Sequence, residues 1–307
     1  MKPASIIFLV LSVILIITGY VSCEMAKGMA ESEGISLYND TVDEDGNRVN
    51  TIHFNSNDYD RIEVNITEAK VFLCVGEEEK VVLKNFTEGS FTGSASGVSY
   101  IITDNQSAID MITSGNFNLS FSGIRHYWHD RDILSREKEV YIYTTAETAV
   151  NALDIVLQKG TVTIDGYKAA FDVMAEVNSG EVTLSNSEAA AFNITGENCK
   201  LTAESNKAAR FHTDIKNGSI TLKNTEADTL TKLNVQESGE VKVELGAPES
   251  EYVITAYASK GVSINGDGKG TQYPPESADG ESSDNATGTK TIDIHVTSGS
   301  VNIKTKK

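Results

Sequence analysis

RHYWHDRD, residues 125–132, is where the side chains best suited to chemistry crowd together: His126, Trp128, His129, Asp130 and Asp132. In a turn, imidazoles and a carboxylate can converge on a metal ion, whereas on a strand His126 and His129 face opposite ways. The plainer reading is a polar loop with Trp128 packed beneath it. Asp154, Asp165 and Asp172 are the carboxylates on which the acid–base pair of a polysaccharide-cleaving β-helix enzyme would draw. Each belongs to a phrase that recurs along the chain, so no catalytic pair stands out from the repeating background. GDGKGT at 266 lacks the Lys-Ser/Thr ending of a phosphate loop, no Gly-x-Ser-x-Gly elbow occurs, and VDEDGNRV misses the ligand spacing of a calcium loop. Cys23, Cys74 and Cys199 form no Cys-x-x-Cys pair, and Cys199 reads as a small buried hydrophobe, as does Cys74 if it points to the core. The expectation is therefore a protein that is not an enzyme, with no catalytic residue, no cofactor and no metal site.

The elements behind these residues repeat. GTVTID at 160, GEVTLS at 180, GSITLK at 218, GEVKVE at 239 and GSVNIK at 299 each set two alternating apolar residues after a glycine. The inward pairs are Val162 and Ile164, Val182 and Leu184, Ile220 and Leu222, Val241 and Val243, and Val301 and Ile303. ENCKLTA and KGVSIN are degenerate copies that place Cys199 and Leu201, and Val262 and Ile264, in the same slots. Thr, Glu, Ser, Lys and Asn take the outward positions. A second phrase interleaves, apolar then Asp or Asn then apolar, as in Leu153-Asp154-Ile155, Phe171-Asp172-Val173, Phe192-Asn193-Ile194, Leu233-Asn234-Val235 and Ile292-Asp293-Ile294. Phe211-His212-Thr213 and Tyr252-Val253-Ile254 are looser copies.

Two short strands per step of about 20 residues predict an all-β fold, a parallel β-solenoid in which neighbouring coils bury one another's inward residues. Expected ladders include Phe171, Phe192, Phe211 and Leu233, with glycine at a corner too tight for a side chain. An antiparallel sandwich is the alternative, since alternation does not fix strand direction; Asp165-Gly166 and Asn217-Gly218 would be its hairpin turns. Upstream, Ile62, Val64 and Ile66, then Val71, Leu73 and Val75, alternate in the same way, with EEEK at 77–80 as a charged turn. Residues 266–290 break the rhythm with Gly, Ser, Asp and two prolines and read as an excursion, after which TIDIHVTSGSVNIK returns as a terminal rung that covers the end of the stack.

Residues 1–23 read as a transmembrane signal anchor, 24–50 as a polar spacer with a turn at Asp45-Gly46, and 51–307 as the solenoid domain. The run from Pro3 to Cys23 carries no charge and as a helix measures roughly 31 Å, enough to cross a bilayer core. Lys2 before it and Glu24 after it place the domain outside the cytoplasm, in a single-pass arrangement at the cell membrane. Cleavage after Gly28-Met29-Ala30, or lipidation at Cys23, are the alternative fates. The 307 residues are 39% hydrophobic with a mean hydropathy of -0.22, enough for a sizeable core. A formal charge of -18 excludes nucleic acid and anionic lipid headgroups as partners of the domain. Eight Asn-x-Ser/Thr sequons begin at Asn39, Asn65, Asn85, Asn105, Asn118, Asn193, Asn217 and Asn285.

With the apolar N-terminus, the opening FNSNDYDRIEVNITEAKVFLCVGEEEKVVL and the closing TIDIHVTSGSVNIK in view, residues 51–307 resemble the bacterial "putative adhesin" family of unknown function. The resemblance implies a membrane-anchored or exported β-solenoid, similar to auto-transporter adhesin heads, without a catalytic motif. The expected role is a cell-surface binding scaffold whose partner is a wall polymer, another cell or a surface protein. An envelope sensory or stress accessory acting on a membrane partner is the alternative, and a glycan-active enzyme the third.

Overall fold

The computed structural model describes residue 18, residues 42–87 and 90–104, residue 133, and residues 135–274 and 290–306. Two compact units are present, residues 1–48 and 49–307. In the first, the Asp43 carboxylate accepts hydrogen bonds from the backbone N–H groups of Asp45 and Asn47, and Gly46 adopts φ 74°. Val42 pairs antiparallel with Arg48 across this turn, as Asp45-Gly46 led us to expect. The apolar segment 1–23 lies outside the described residues apart from Thr18. Among the described residues no helix is long and apolar enough to cross a membrane.

The second unit is all-β. Its strands are β1 (Val49–His53), β2 (Arg61–Val75), β3 (Lys80–Lys84), β4 (Phe91–Ser96), β5 (Ser99–Asp104), β6 (Glu139–Thr144), β7 (Ala152–Asp165), β8 (Asp172–Ser185) and β9 (Glu188–Glu204). After them come β10 (Lys207–Lys223), β11 (Glu226–Pro248), β12 (Tyr252–Ala258), β13 (Val262–Ile264), β14 (Asp267–Gly268), β15 (Gln272–Tyr273), β16 (Lys290–Val296) and β17 (Gly299–Lys306). From β2 through β7, β8, β9, β10 and β11 every neighbour pairs in parallel along both halves of the strand, which excludes the antiparallel sandwich. Each long strand bends at a corner, so one coil contributes a segment to a first face and another to a second.

The corner explains the glycines. A Cβ on Gly180 would stand 1.8 Å from the carbonyl oxygen of Gly160, and one on Gly218 1.8 Å from that of Cys199, both at positive φ. The backbones of successive coils approach too closely there for a side chain. Cys199 occupies this slot in β9, which corrects the inward pair expected there: Leu201 and Ala203 lie beside Val182 and Leu184, two residues further on. A compensating exchange makes room. Gly196 stands where the other coils carry Val177 or Ile215, and the Cys199 Cβ lies 2.8 Å from where a Cβ on Gly196 would be.

Inward residues pile in register as the alternation requires. One ladder runs Ile62, Leu153, Val173, Phe192, Phe211, Thr231, Ile292 and Ile254, with Phe192 and Phe211 ring centroids 6.0 Å apart. Each fully buried apolar member stabilises the fold by roughly 1.5–3 kcal/mol. Phe171 and Leu233 were expected in this ladder and are not: Phe171 packs at the entry of β8 against Tyr167, and Leu233 lies one inward position further along its strand. Val75, also expected inside, is 57% exposed at the end of β2.

A second corner follows the second face. Gly166, Asn186, Ser205 and Asn224 adopt φ between 46° and 63°, a region that Asn and Gly tolerate. The next residues, Tyr167, Ser187, Asn206 and Thr225, turn inward and form a buried polar ladder. The Ser187 hydroxyl accepts from Tyr167 N–H, and the Asn206 side chain accepts from Ser187 N–H while donating to Leu184 O and the Thr225 hydroxyl.

Neither end of the stack is the end of the chain. β16 and β17 lie between β11 on one side and β12 with β13 on the other, parallel to both, so the last coil in sequence is the last but one in space. The terminal rung expected from TIDIHVTSGSVNIK is therefore an inserted one. At the other end β2 lies between β7 and the pair β5 and β6. Antiparallel strands close both ends: β4 on β5 and β3 on β6, then β15 on β12 and β14 on β13. Residues 267–273 of the expected excursion thus belong to the cap. Its Asn265-Gly266 turn has two positive φ values, as a tight hairpin needs, whereas Asp165-Gly166 leads from β7 towards the parallel β8 and Asn217-Gly218 is a corner within β10.

Candidate binding face

The outward side of the second face carries the most regular pattern. Thr163, Thr183, Thr202 and Thr221 are direct neighbours on β7, β8, β9 and β10, half-buried and in register. Inward neighbours on both sides fix their backbones, and the parallel ladder sets their hydroxyls about 4.8 Å apart. None of the four side chains hydrogen-bonds to another group among the described residues. The row continues through Lys242, Asn302 and Ser263.

Charged residues flank the row and neutralise one another across rungs. Lys200 pairs with Glu181 at 2.7 Å, Lys223 with Glu204 at 2.5 Å, and Lys304 with Glu244 at 3.3 Å. The Ser185 hydroxyl and the Asn186 amide hold the exposed Asp165 carboxyl below its ordinary range. The hydrogen bond to Glu204 raises the Lys223 ammonium. These exposed pairs contribute little stability, but they leave the row flanked by balanced charge.

At its C-terminal end the row enters an open groove of about 490 Å³, walled by Ser259 to Ser263 and by Gly268, Gly270 and Thr271 of the cap, with Ser300 and Asn302 on the floor side. At the opposite end stand aromatic rings. Phe72 stacks on Tyr141 at 4.9 Å and 16°, with the Lys84 ammonium 5.4 Å from the Tyr141 ring centre on β3 next door. Stacking between adjacent strands stands the rings edge-on to solvent, with Phe72 covering a face of Tyr141, so the rings close the row rather than offer a platform.

The carboxylates named from sequence are not brought together. Asp154 pairs with Arg61 at 2.9 Å, Asp172 lies 3.6 Å from Arg210, and Asp165 sits on the other face beside Ser185. Burial pushes the Asp154 carboxyl up, against the opposing pull of Arg61. In register, Asp154 and Asn193 share a slot with Met174 between them, whereas Asp172 lies two residues earlier, between Ala152 and Ala191, so the Asp and Asn phrases do not all share one phase. Cys199 is buried and its thiol is pushed up to about 11 by burial, with Glu181 adding to the shift. Cys74 faces outward beside Tyr143, half-buried, so the condition for reading it as a core hydrophobe is not met. RHYWHDRD lies outside the described residues, among which no cluster of His, Cys, Asp and Glu suits a metal ion. Of the described sequons, Asn85 is 4% exposed and its amide donates to Glu137 O, so it is closed to glycosylation.

Register, left-handed corners and a 20-residue step make this stack a distinctive object, and residues 59–307 match the family model described as Toastrack DUF4097. The chain belongs to this Toastrack family. Solved structures similar to it include a "putative adhesin" from Bacteroides fragilis, 10% identical, covering 84% of this chain and 97% of that one at a TM-score of 0.42. A "putative cell adhesion protein" from Clostridium sporogenes is 14% identical over 85% of this chain and 100% of that one, at a TM-score of 0.31. A "putative lipid binding protein" from Parabacteroides distasonis is 11% identical over 85% and 97%, at 0.30. No curated protein matches the chain.

Sequence reasoning passed over the threonine row and the groove. The row is legible in the middle letters of VTI, VTL, LTA and ITL, which recur in one slot. The groove has no such signal, because its wall is the cap hairpin.

Proposed function

We propose that this Toastrack protein is a non-catalytic surface scaffold, tethered to the cell membrane by residues 1–23, whose solenoid binds a partner outside the cytoplasm. The adhesin-type role is supported by the Toastrack membership and by the in-register Thr163, Thr183, Thr202 and Thr221 hydroxyls, which repeat one geometry at every rung. A stack whose rungs are fixed by two-sided pairing presents such a row without reorganisation, so binding costs little ordering entropy. The tether rests on the uncharged run from Pro3 to Cys23. A pull-down of the outer domain, residues 24–307, against intact cells and purified wall material is expected to retain it on the cell surface. Failure to bind any cell fraction would remove the proposal, as would turnover of a wall glycan that is lost on Asp154→Asn.

A further inference from the structure

Three properties of the second face narrow what can lie on it. First, the groove is lined mainly by serine, glycine, asparagine and threonine, together with Lys260 and with Glu240, which is paired with Lys242, while its valines, Val262 and Val301, are 2% and 1% exposed. An acyl chain would find no exposed aliphatic or aromatic residue there to pack on, whereas hydroxyls would meet groups that both donate and accept. Second, the flanking ion pairs cancel locally and the whole chain carries -18, so an anionic ligand is repelled, while a cationic one finds Glu181 and Glu204 already paired with lysines and Asp165 hydrogen-bonded to Ser185 and Asn186. Third, the rungs repeat at about 4.8 Å, whereas an extended polypeptide advances about 3.3 Å per residue and a nucleic acid strand about 3.4 Å per nucleotide. Neither polymer, laid along the stacking axis, keeps one group opposite each threonine over the four rungs from Thr163 to Thr221.

We infer that this face is a binding site for an uncharged polysaccharide laid across the strands along the Thr163, Thr183, Thr202 and Thr221 row, with its end seated in the groove against Ser263, Ser300 and Asn302. The inference rests on the surface-binding reading and adds the class of ligand to it. No ring face is offered to the sugars, because Phe72 and Tyr141 are stacked edge-on, so each rung contributes little and affinity comes from several rungs engaged at once.

The test uses the outer domain with β-1,4-glucan and β-1,4-linked N-acetylglucosamine oligomers of two to eight units, and polygalacturonate as the charged control. Calorimetry and co-sedimentation are expected to show binding to at least one neutral series, with affinity rising with length up to about the number of threonine rungs, and none to polygalacturonate. The double variant Thr183→Val, Thr202→Val keeps the shape of the row and removes two hydroxyls. It should bind at least tenfold more weakly with an unchanged circular dichroism spectrum, as should Ser300→Trp, which fills the groove. Equal binding by the variants, or preference for the charged polymer, overturns the inference. So does self-association of the outer domain that Thr183→Lys abolishes, because the face then belongs to a second copy. Retention on intact cells without affinity for either neutral series also overturns it, yet leaves the proposed function standing; loss of both removes the two together.

Discussion

Gly180 illustrates how little freedom the coil corner leaves. Replacing it by alanine puts a Cβ 1.8 Å from the Gly160 carbonyl oxygen at a φ of 152°, so neighbouring coils must separate. Gly180→Ala is expected to cost about 3 kcal/mol or more, read from the denaturant midpoint. Cys199→Ala at the equivalent slot should cost only about 1 kcal/mol, because its coil already carries Gly196 as compensation. Thr213 makes the opposite case. Its hydroxyl is fully buried between Ile194 and Leu233 and has no hydrogen-bond partner, so Thr213→Val should raise stability by about 1 kcal/mol. Glu79 links the segment at Ser56 to the loop at Thr148. Burial pushes its carboxyl up, but hydrogen bonds from the Ser56 side chain, Thr148 and the Ser56 backbone outweigh this and leave it below its ordinary value. The folded state therefore binds fewer protons than the unfolded one, and the stabilisation is present above the unfolded value and lost as pH falls through the folded one. Denaturant midpoints between about pH 7 and about pH 3 should fall more steeply for the parent than for Glu79→Gln.

At the scale of strands, what was legible in the sequence depended on whether a residue's slot is set by its own coil or by a distant one. Val162, Val182, Ile220, Val241 and Val301 announce themselves through local alternation beside a glycine, and all are buried in register. Ser187, Asn206 and Thr225 look like loop residues because nothing local says that their side chains turn inward to cap the coils above and below. The slot of Cys199 was misjudged by two residues because its coil exchanges the positions of its glycine and its larger residue. The threonine row was visible yet undistinguished among other outward polar residues until parallel pairing aligned it. The insertion of β16 and β17 left no trace in sequence, since parallel pairing carries no turn signal at the point of contact. It does carry a consequence. With a protease site placed among residues 276–288 of the full chain, the cut fragment 290–307 should stay bound under native conditions, held by ladders on both edges. Its release would be expected to expose the amides of β12 and β13 first, as followed by hydrogen exchange.

For the whole solenoid unit, stability resides in nearest-neighbour coils, while identity resides in the two ends, where antiparallel strands cover the parallel edges and discourage end-to-end association. The middle coils, β8 to β10, contact only their like. Placing a second copy of residues 186–204 directly after Glu204 should therefore yield a folded chain about 4.8 Å longer, with its melting temperature within a few degrees of the parent, as measured by small-angle scattering and calorimetry. The interleaved final coil sharpens this. Because residues 290–306 are clasped from both sides, a coil inserted beside them must displace that clasp, so the stack is lengthened or shortened at least cost by duplication or deletion in its interior, leaving both finials intact.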